Sequence, residues 1–590
     1  MIRKTLLINI VLLFTLCPSK TGATTKSESN VPLPESVTQF LATQIQKPFG
    51  NNVFVFDSSM DMRDIQTLID TIYQHQSDKE SEFTTNRYAF LFKPGNYALD
   101  VKVGYYTHVI GLGESPNDVV ITGAVRSKST NTKGHVLSNF WRAMENITIV
   151  PTTEKANVWG VSQAAPIRRV HVKGNLQLHD NGYASGGFMA DSKIDGTTDA
   201  GQQQQWFTRN SNINKWNGGA WNIMFMGVPE APNENWPKKP FTVIKKTPII
   251  REKPYWVSTP LGYELKMPSL KENSASISWD KGSNEDASIS LKEFYIAYPE
   301  KDSAESINNA LELGKNILFT PGVYTVSSAI KIRRSGTIIT GIGMPSLISS
   351  NGNTILEIAD VDGVTVSGLL LDAGPINSLK LMQVGELNAE ANHAINPTFL
   401  FDIFIRVGGP HEGSSNSAME INSNDVIADN IWLWRADHGN GAGWTKNRCA
   451  NGLIVNGDRV SLYGLFNEHF QEYQTLWNGE SGKVYFYQSE MPYDVPSVEA
   501  WQHDGINGFA SYKVANGVKN HEAWGVGIYN VFYNAPIIVD NAIETPSAIE
   551  PNIHHKLTFW LNGNEQSVVK SIINGKGESV KKENRKATLE

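Results

Sequence analysis

Two glutamates, Glu468 and Glu490, stand close together in the chain, within the run Leu465 to Asp494. Each ends a stretch that alternates aromatic or β-branched residues with others: Leu462, Gly464, Phe466 before the first, and Val484, Phe486, Gln488 before the second. Between them lies a turn cluster, Asn478-Gly479-Glu480-Ser481-Gly482. A strand, a turn and a strand in this length match one coil of a parallel β-helix. In such a stack the second carboxylate lies over the first, at the inter-strand spacing of roughly 4.7 to 4.9 Å. Two carboxylates that close cannot both ionise cheaply, so one holds its proton near neutral pH and can serve as a general acid.

The elements that must position this pair are announced by a long internal repeat. Asp64-Ile65-Gln66, Phe92-Lys93-Pro94-Gly95-Asn96-Tyr97 and Gly111-Leu112-Gly113 are matched, at a nearly constant offset, by Ser306-Ile307-Asn308, Phe319-Thr320-Pro321-Gly322-Val323-Tyr324 and Gly341-Ile342-Gly343. The same architecture is therefore expected twice. Each copy opens with a short amphipathic helix suited to covering the open end of a sheet stack, then a strand, a Pro-Gly turn and a second strand reaching a Gly-x-Gly where backbones approach closely. Short strands follow, with Asn, Asp and Gly at their corners and no helical crossovers. That pattern predicts an all-β chain of two tandem right-handed parallel β-helices joined by a linker, with the active site in the cleft between them. The expected boundaries are a signal peptide over 1–23, a leader over 24–45, a first β-helix over 46–250, a linker over 251–290, a second β-helix over 291–565 and a solvated C-terminal tail over 566–590.

A chain of 590 residues is too long for one ordinary core, which fits two lobes. Arg3 and Lys4, an apolar run from Leu6 to Leu16 and the small residues ending at Ala23 read as a secretory signal, and the run is too short to span a bilayer. The mature chain then keeps one thiol, Cys449, so no disulfide framework supports it. A net charge of −7 argues against a nucleic-acid partner. No ligand spacing for a metal, no phosphate loop and no dinucleotide fingerprint occur, so neither metal nor cofactor is expected. The 15 tryptophans and 19 tyrosines suit sugar-stacking platforms as well as they suit a large core.

The Pro-Gly and Gly-x-Gly repeats resemble the pectate-lyase-like β-helix superfamily. More specific are Trp159-Gly160-Val161-Ser162-Gln163-Ala164-Ala165-Pro166, Tyr183-Ala184-Ser185-Gly186-Gly187-Phe188, Trp434-Arg435-Ala436-Asp437-His438-Gly439 and Gln488-Ser489-Glu490-Met491-Pro492-Tyr493. These four strings, in this order, resemble bacterial members of glycoside hydrolase family 55, β-1,3-glucanases built from two tandem β-helices. The resemblance implies that Glu490 protonates the glycosidic oxygen, and that Gln163, Ser185 and Tyr493 hold the attacking water in an inverting mechanism. Ser185 follows Gln163 at the same interval by which Glu490 follows Glu468, so this pair also stacks one coil apart; an internal polar ladder would use the same residues.

Around the acid, Glu468 either raises the proton affinity of Glu490 or binds a sugar hydroxyl, and Glu480 could do the same. Asp437 and His438 are candidates for sugar hydroxyls, with a structural histidine as the alternative. Trp434, Trp477, Trp501 and Tyr183 are stacking platforms or core. A carboxylate spacing near 5 Å is that of retaining pairs, roughly 6.5 to 9.5 Å that of inverting ones. Stacked acids, however, approach the sugar from one side, and inversion needs water on the other. The expected function is a secreted, exo-acting, inverting β-1,3-glucanase that releases glucose from laminarin-like polysaccharide, as a monomer. A polysaccharide lyase and a non-catalytic glycan-binding β-helix are the alternatives on this scaffold.

Overall fold

The computed structural model describes residues 48–280 and 286–590, so the expected signal peptide and leader lie outside the described residues. In the first lobe, nine strands follow one another across one sheet. They run from Val53–Phe56 through Tyr88–Phe92, Thr107–Gly111, Arg142–Pro151, Ile167–Val172, Phe188–Ala190, Gln205–Arg209 and Asn222–Met226 to Phe241–Ile244. Every neighbouring pair is parallel. The second lobe repeats the plan from Phe294–Ala297 to Ile553–Gly563, with a second parallel sheet running from Ile330–Ile332 to Val568–Ile573. Two stacks of parallel strands in tandem bear out the expected pair of β-helices.

Each lobe opens on a helix, α1 (Met62–Gln76) and α2 (Ala304–Glu312). In α1 the residues Ile65, Leu68, Ile69 and Ile72 are buried, one stripe of a 3.6-residue period. Gln66 on the same helix exchanges two hydrogen bonds of 2.9 Å with the backbone of Asp100, so a side chain satisfies a strand edge that has no further coil to pair with. The close approach expected at the first Gly-x-Gly is real: a Cβ on Gly111 would lie 1.9 Å from the carbonyl oxygen of Asn146.

The strands that face the other lobe are buried on both sides, as parallel sheets covered on two faces require. Leu400, Ile403, Leu462, Leu465, Val484 and Tyr487 fill the interior of the second coil stack. Phe401, Phe404, Trp432, Trp434, Phe466 and Phe486 point outward and pack with Tyr106, Phe140, Trp141, Phe188, Phe207 and Met224 of the first lobe. A buried ionic seam ties the lobes as well: Arg168 meets Asp402 at 2.7 Å and Asp429 at 2.6 Å, and Arg209 meets Asp429 at 3.0 Å and Glu252 at 2.7 Å.

Two expected boundaries change. The 251–290 linker carries an antiparallel sheet of Tyr255–Thr259, Gly262–Met267 and Ala287–Ser290, and its Trp256 and Leu265 share a core with residues of both lobes. The 566–590 segment is not a solvated tail. Val568–Ile573 is the last strand of the second sheet, and Lys586–Leu589 pairs antiparallel with Ile553–Gly563 and closes its edge. Val569, Ile572, Ile573, Val580 and Ala587 sit in the core while Lys581 and Lys582 face solvent, so the charge run conceals an apolar alternation.

Candidate active site

Glu468 ends the strand Ser461–Glu468, and Glu490 ends Gly482–Glu490; the two are paired across adjacent parallel strands. Trp434 precedes them in the same column, and Tyr529 and Phe559 follow. Strict alternation would turn both carboxylates inward, because Leu462 and Val484, an even number of positions before each, point into the coil. One left-handed residue in each strand prevents this. Gly464 and Phe486 adopt φ of 77° and 68° and are skipped by the pairing register. The same column holds Gly368, Asp402, Asn430, Gly525 and His555, all at positive φ. Each absorbs one step of the in-out alternation, as a bulge does, so everything beyond it changes face. Both carboxylates are thereby aimed at the first lobe.

There they meet the expected partners. Gln163 Nε2 donates to Glu468 Oε1 at 2.8 Å, across the lobes. Ser185 Oγ donates to Gln163 Oε1 at 3.2 Å, and lies 2.9 Å from Ser162 Oγ. Trp432 Nε1 donates to the other Glu468 oxygen at 2.9 Å. Gln488 Nε2 lies 3.3 Å from Glu490 Oε1, and the Tyr493 hydroxyl donates to Glu490 Oε2. Tyr493 thus stands on the acid, not with the Gln163–Ser185 pair.

Burial pushes Glu468 well above the usual carboxylate range, and the charge of Glu490 adds to it. Burial likewise raises Glu490, against the charge of His469 and the Tyr493 hydroxyl. The pair therefore shares a proton. Its place is read from the partners: Glu468 accepts from two N–H groups, of Gln163 and Trp432, and Glu490 from one, of Gln488, so the Tyr493 phenol is the one partner that can take a hydrogen bond back from a protonated carboxyl, that of Glu490.

At the mouth, Asp437 accepts from His438 Nδ1 at 2.9 Å, and His438 Nε2 meets Glu82 Oε1 of the first lobe at 2.6 Å. Burial opposes charge on both Asp437 and His438. Their mutual attraction prevails, holding the carboxyl below its usual range and pushing the imidazole up to about 10. His438 spends both ring nitrogens on the protein and is an inter-lobe clamp, not a ligand for sugar hydroxyls. Phe83 lies parallel to Trp434 on this side of the cleft, with ring centroids 6.4 Å apart. On the far side of Glu490, Trp221 of the first lobe stacks on Phe559 at 4.4 Å and lies 5.4 Å from Tyr529. The lobes thus touch both before and after the coil that carries the acid.

Other expected site residues lie elsewhere. Glu480 sits at the opposite end of its strand, where its carboxylate accepts from the backbone N–H groups of Lys519 and Asn520 at 2.9 and 3.1 Å. Trp477 is fully buried, its Nε1 donating to the Gly479 carbonyl, and Trp501 is core too. Trp434 is packed between Trp432 and Phe83 with no free face for a sugar. Tyr183 stacks on His135 at 4.6 Å at the partly exposed rim. Glu82, Trp432, His469 and Gln488 escaped sequence reasoning. Trp432 and Gln488 carried a legible signal, since each stands two positions before a member of the acid's column; Glu82 carried none. Among the described residues, no group of three or more His, Cys, Asp or Glu side chains is arranged to hold a metal ion, and no helix is long and apolar enough to cross a membrane.

A buried carboxyl pair between two β-helices, facing amide and hydroxyl groups, is suited to acid–base chemistry on a polyhydroxylated substrate. Residues 294–490 match the LAM55 pectate lyase-like domain model. The chain is 44% identical over 521 residues to an exo-β-1,3-glucanase of Streptomyces sp. (strain SirexAA-E / ActE), covering 88% of this chain and 85% of that one. The structure of sacteLam55A from Streptomyces sp. SirexAA-E superposes with a TM-score of 0.89 at 42% identity, covering 92% of this chain and 98% of that one. A glutamate-to-alanine variant of sacteLam55A in complex with glucose superposes equally well. The protein belongs to the Lam55-like enzymes of glycoside hydrolase family 55.

Proposed function

We propose that the protein is a secreted exo-β-1,3-glucanase that removes glucose from the end of a laminarin-like chain with inversion. The observation that supports the exo reading is that the lobes touch on both sides of Glu490, through His438–Glu82 with Phe83–Trp434 on one side and Trp221–Phe559 on the other. A cleft closed at both ends admits a chain end and excludes a chain interior. The exo-β-1,3-glucanase activity of the Streptomyces relative points the same way, and the N-terminal signal-like segment supports export.

In this reading Glu490 gives its proton to the glycosidic oxygen, held in line by the Tyr493 hydroxyl. The Glu468 anion stabilises the positive charge that develops on the anomeric carbon. Ser185 and Gln163, on the opposing lobe, hold the water that attacks from the other face as the bond to the leaving oxygen breaks, and the proton this water sheds passes to solvent, from which Glu490 is reprotonated.

Incubation with laminarin, followed by proton magnetic resonance, tests the proposal. Glucose should appear first as the α-anomer, with no intermediate oligosaccharides, and a β-1,4-glucan or a pectic polymer should give nothing. Early release of mixed oligosaccharides would refute the closed cleft, and an ultraviolet-absorbing unsaturated product would point to a lyase. Glu490→Gln should lower turnover by at least about a hundredfold while leaving the thermal transition in place.

A further inference from the structure

We propose that His469 is a positioning residue for the acid, and that Glu82 of the first lobe anchors the series of side chains that holds it. The proposal rests on Glu490 being the proton donor. His469 directly follows Glu468, in the left-handed conformation at φ 69°, and its backbone N–H donates to the Glu490 carbonyl at 2.8 Å. Its ring is buried and stands edge-on to Tyr493 with centroids 4.3 Å apart. Its Nδ1 lies 3.1 Å from the Met491 carbonyl oxygen and its Nε2 4.0 Å from Asp437 Oδ1. The series is continuous: Glu82, His438, Asp437, His469, Tyr493, Glu490.

The protonation of the ring follows from its partners. A carbonyl oxygen only accepts, so Nδ1 carries a hydrogen. Nε2 then faces a carboxylate, an arrangement that is attractive only when Nε2 is protonated too. Asp437 thus favours the protonated ring, and is itself fixed by His438 and Glu82. The groups around Glu490 divide by sign. Glu468 shares the proton with it, Asp437 favours its retention, Tyr493, Tyr529 and Tyr533 are neutral, and His469 opposes its retention. Charge on His469 works against the retention of a proton that burial would otherwise lock in place, and the ring fixes the phenol that orients the carboxyl.

The test is a pH titration of the carboxyl pair by carbon-13 magnetic resonance of glutamate-labelled protein, with the Glu490 signal assigned through Glu490→Gln. The alkaline limb of kcat/KM on laminarin is measured in parallel. His469→Asn keeps a residue tolerant of left-handed backbone and an amide able to donate to Met491. It should raise the upper titration step, and the alkaline limb with it, by about one pH unit. Glu82→Gln, which loosens the series at its far end, should move both in the same direction by a smaller amount. A purely structural role would lower stability without moving the step. An unmoved step in His469→Asn, or opposite directions for His469→Asn and Glu82→Gln, overturns the proposal. The nearly isosteric Glu82→Gln keeps the test decisive if His469→Asn does not fold, an unmoved or lowered step in it overturning the proposal. If the step moves as expected but the wild-type protein releases no sugar from laminarin, the positioning role stands and the glucanase reading fails.

Discussion

The placement of the shared proton is tested by Glu468→Gln, which removes one charge and keeps the shape, while an amide offers one acceptor oxygen where the carboxylate gives one each to Gln163 and Trp432. Adjacent parallel strands place the two side chains roughly 5 Å apart. At an effective dielectric of about 20, two unit charges at that distance interact by about 3 kcal/mol. About 1.4 kcal/mol of such repulsion is a tenfold change in proton affinity. With an anionic Glu468 beside it, Glu490 keeps its proton to higher pH, and without that charge it loses the proton sooner. The alkaline limb of kcat/KM on laminarin should therefore fall by about two pH units in the variant.

Stability should respond with the opposite benefit. The folded-state value of the buried Glu468 carboxyl lies above its ordinary 4.5, so its contribution is complete below that pH and is lost as pH rises toward the folded value. The wild-type thermal transition should weaken over that range and the variant's should not. An alkaline limb that stays where it was would place the proton on Glu468 and refute the assignment of Glu490 as the donor.

Three further outcomes follow from the packing. Trp477→Ala should cost about 3 to 5 kcal/mol in urea denaturation, because its ring fills the coil interior beneath Gly482, yet leave KM for laminarin unchanged; a raised KM would return Trp477 to the substrate. Arg168→Met should destabilise by about 3 to 5 kcal/mol, since it leaves Asp402 and Asp429 buried with less compensation, and a loss below about 1 kcal/mol would mean that the seam relaxes without it. The His438 imidazole titrates up to about 10 when folded, against an ordinary 6.5, so its contribution is complete below about 6.5 and is lost as pH rises through about 10. Thermal melts across that range should decline less steeply in His438→Gln, and parallel curves would show that the clamp carries no charge.

Much of the molecule was legible from the chain alone, because a β-helix writes itself locally. The two copies of the helix, Pro-Gly and Gly-x-Gly pattern, set at a nearly constant offset, identified a tandem fold. The interval of one coil sufficed to stack Glu490 on Glu468 and Ser185 on Gln163, and these contacts recur in the structure. Aromatic identity misled at Trp477, since the rings that fill a coil and the rings that hold a sugar are the same residue types.

What only the tertiary structure decided concerns faces and partners. The left-handed turn at Phe486 has no glycine to announce it, yet it reverses the alternation and delivers Glu490 to the cleft instead of the dry interior. Glu82 lies 356 residues from the histidine it clamps, and Gln163 lies 305 from the carboxylate it binds. Residue type and spacing encode what repeats within one coil. The docking of one lobe on the other is a property of two assembled surfaces, and no local pattern records which side chain will face which.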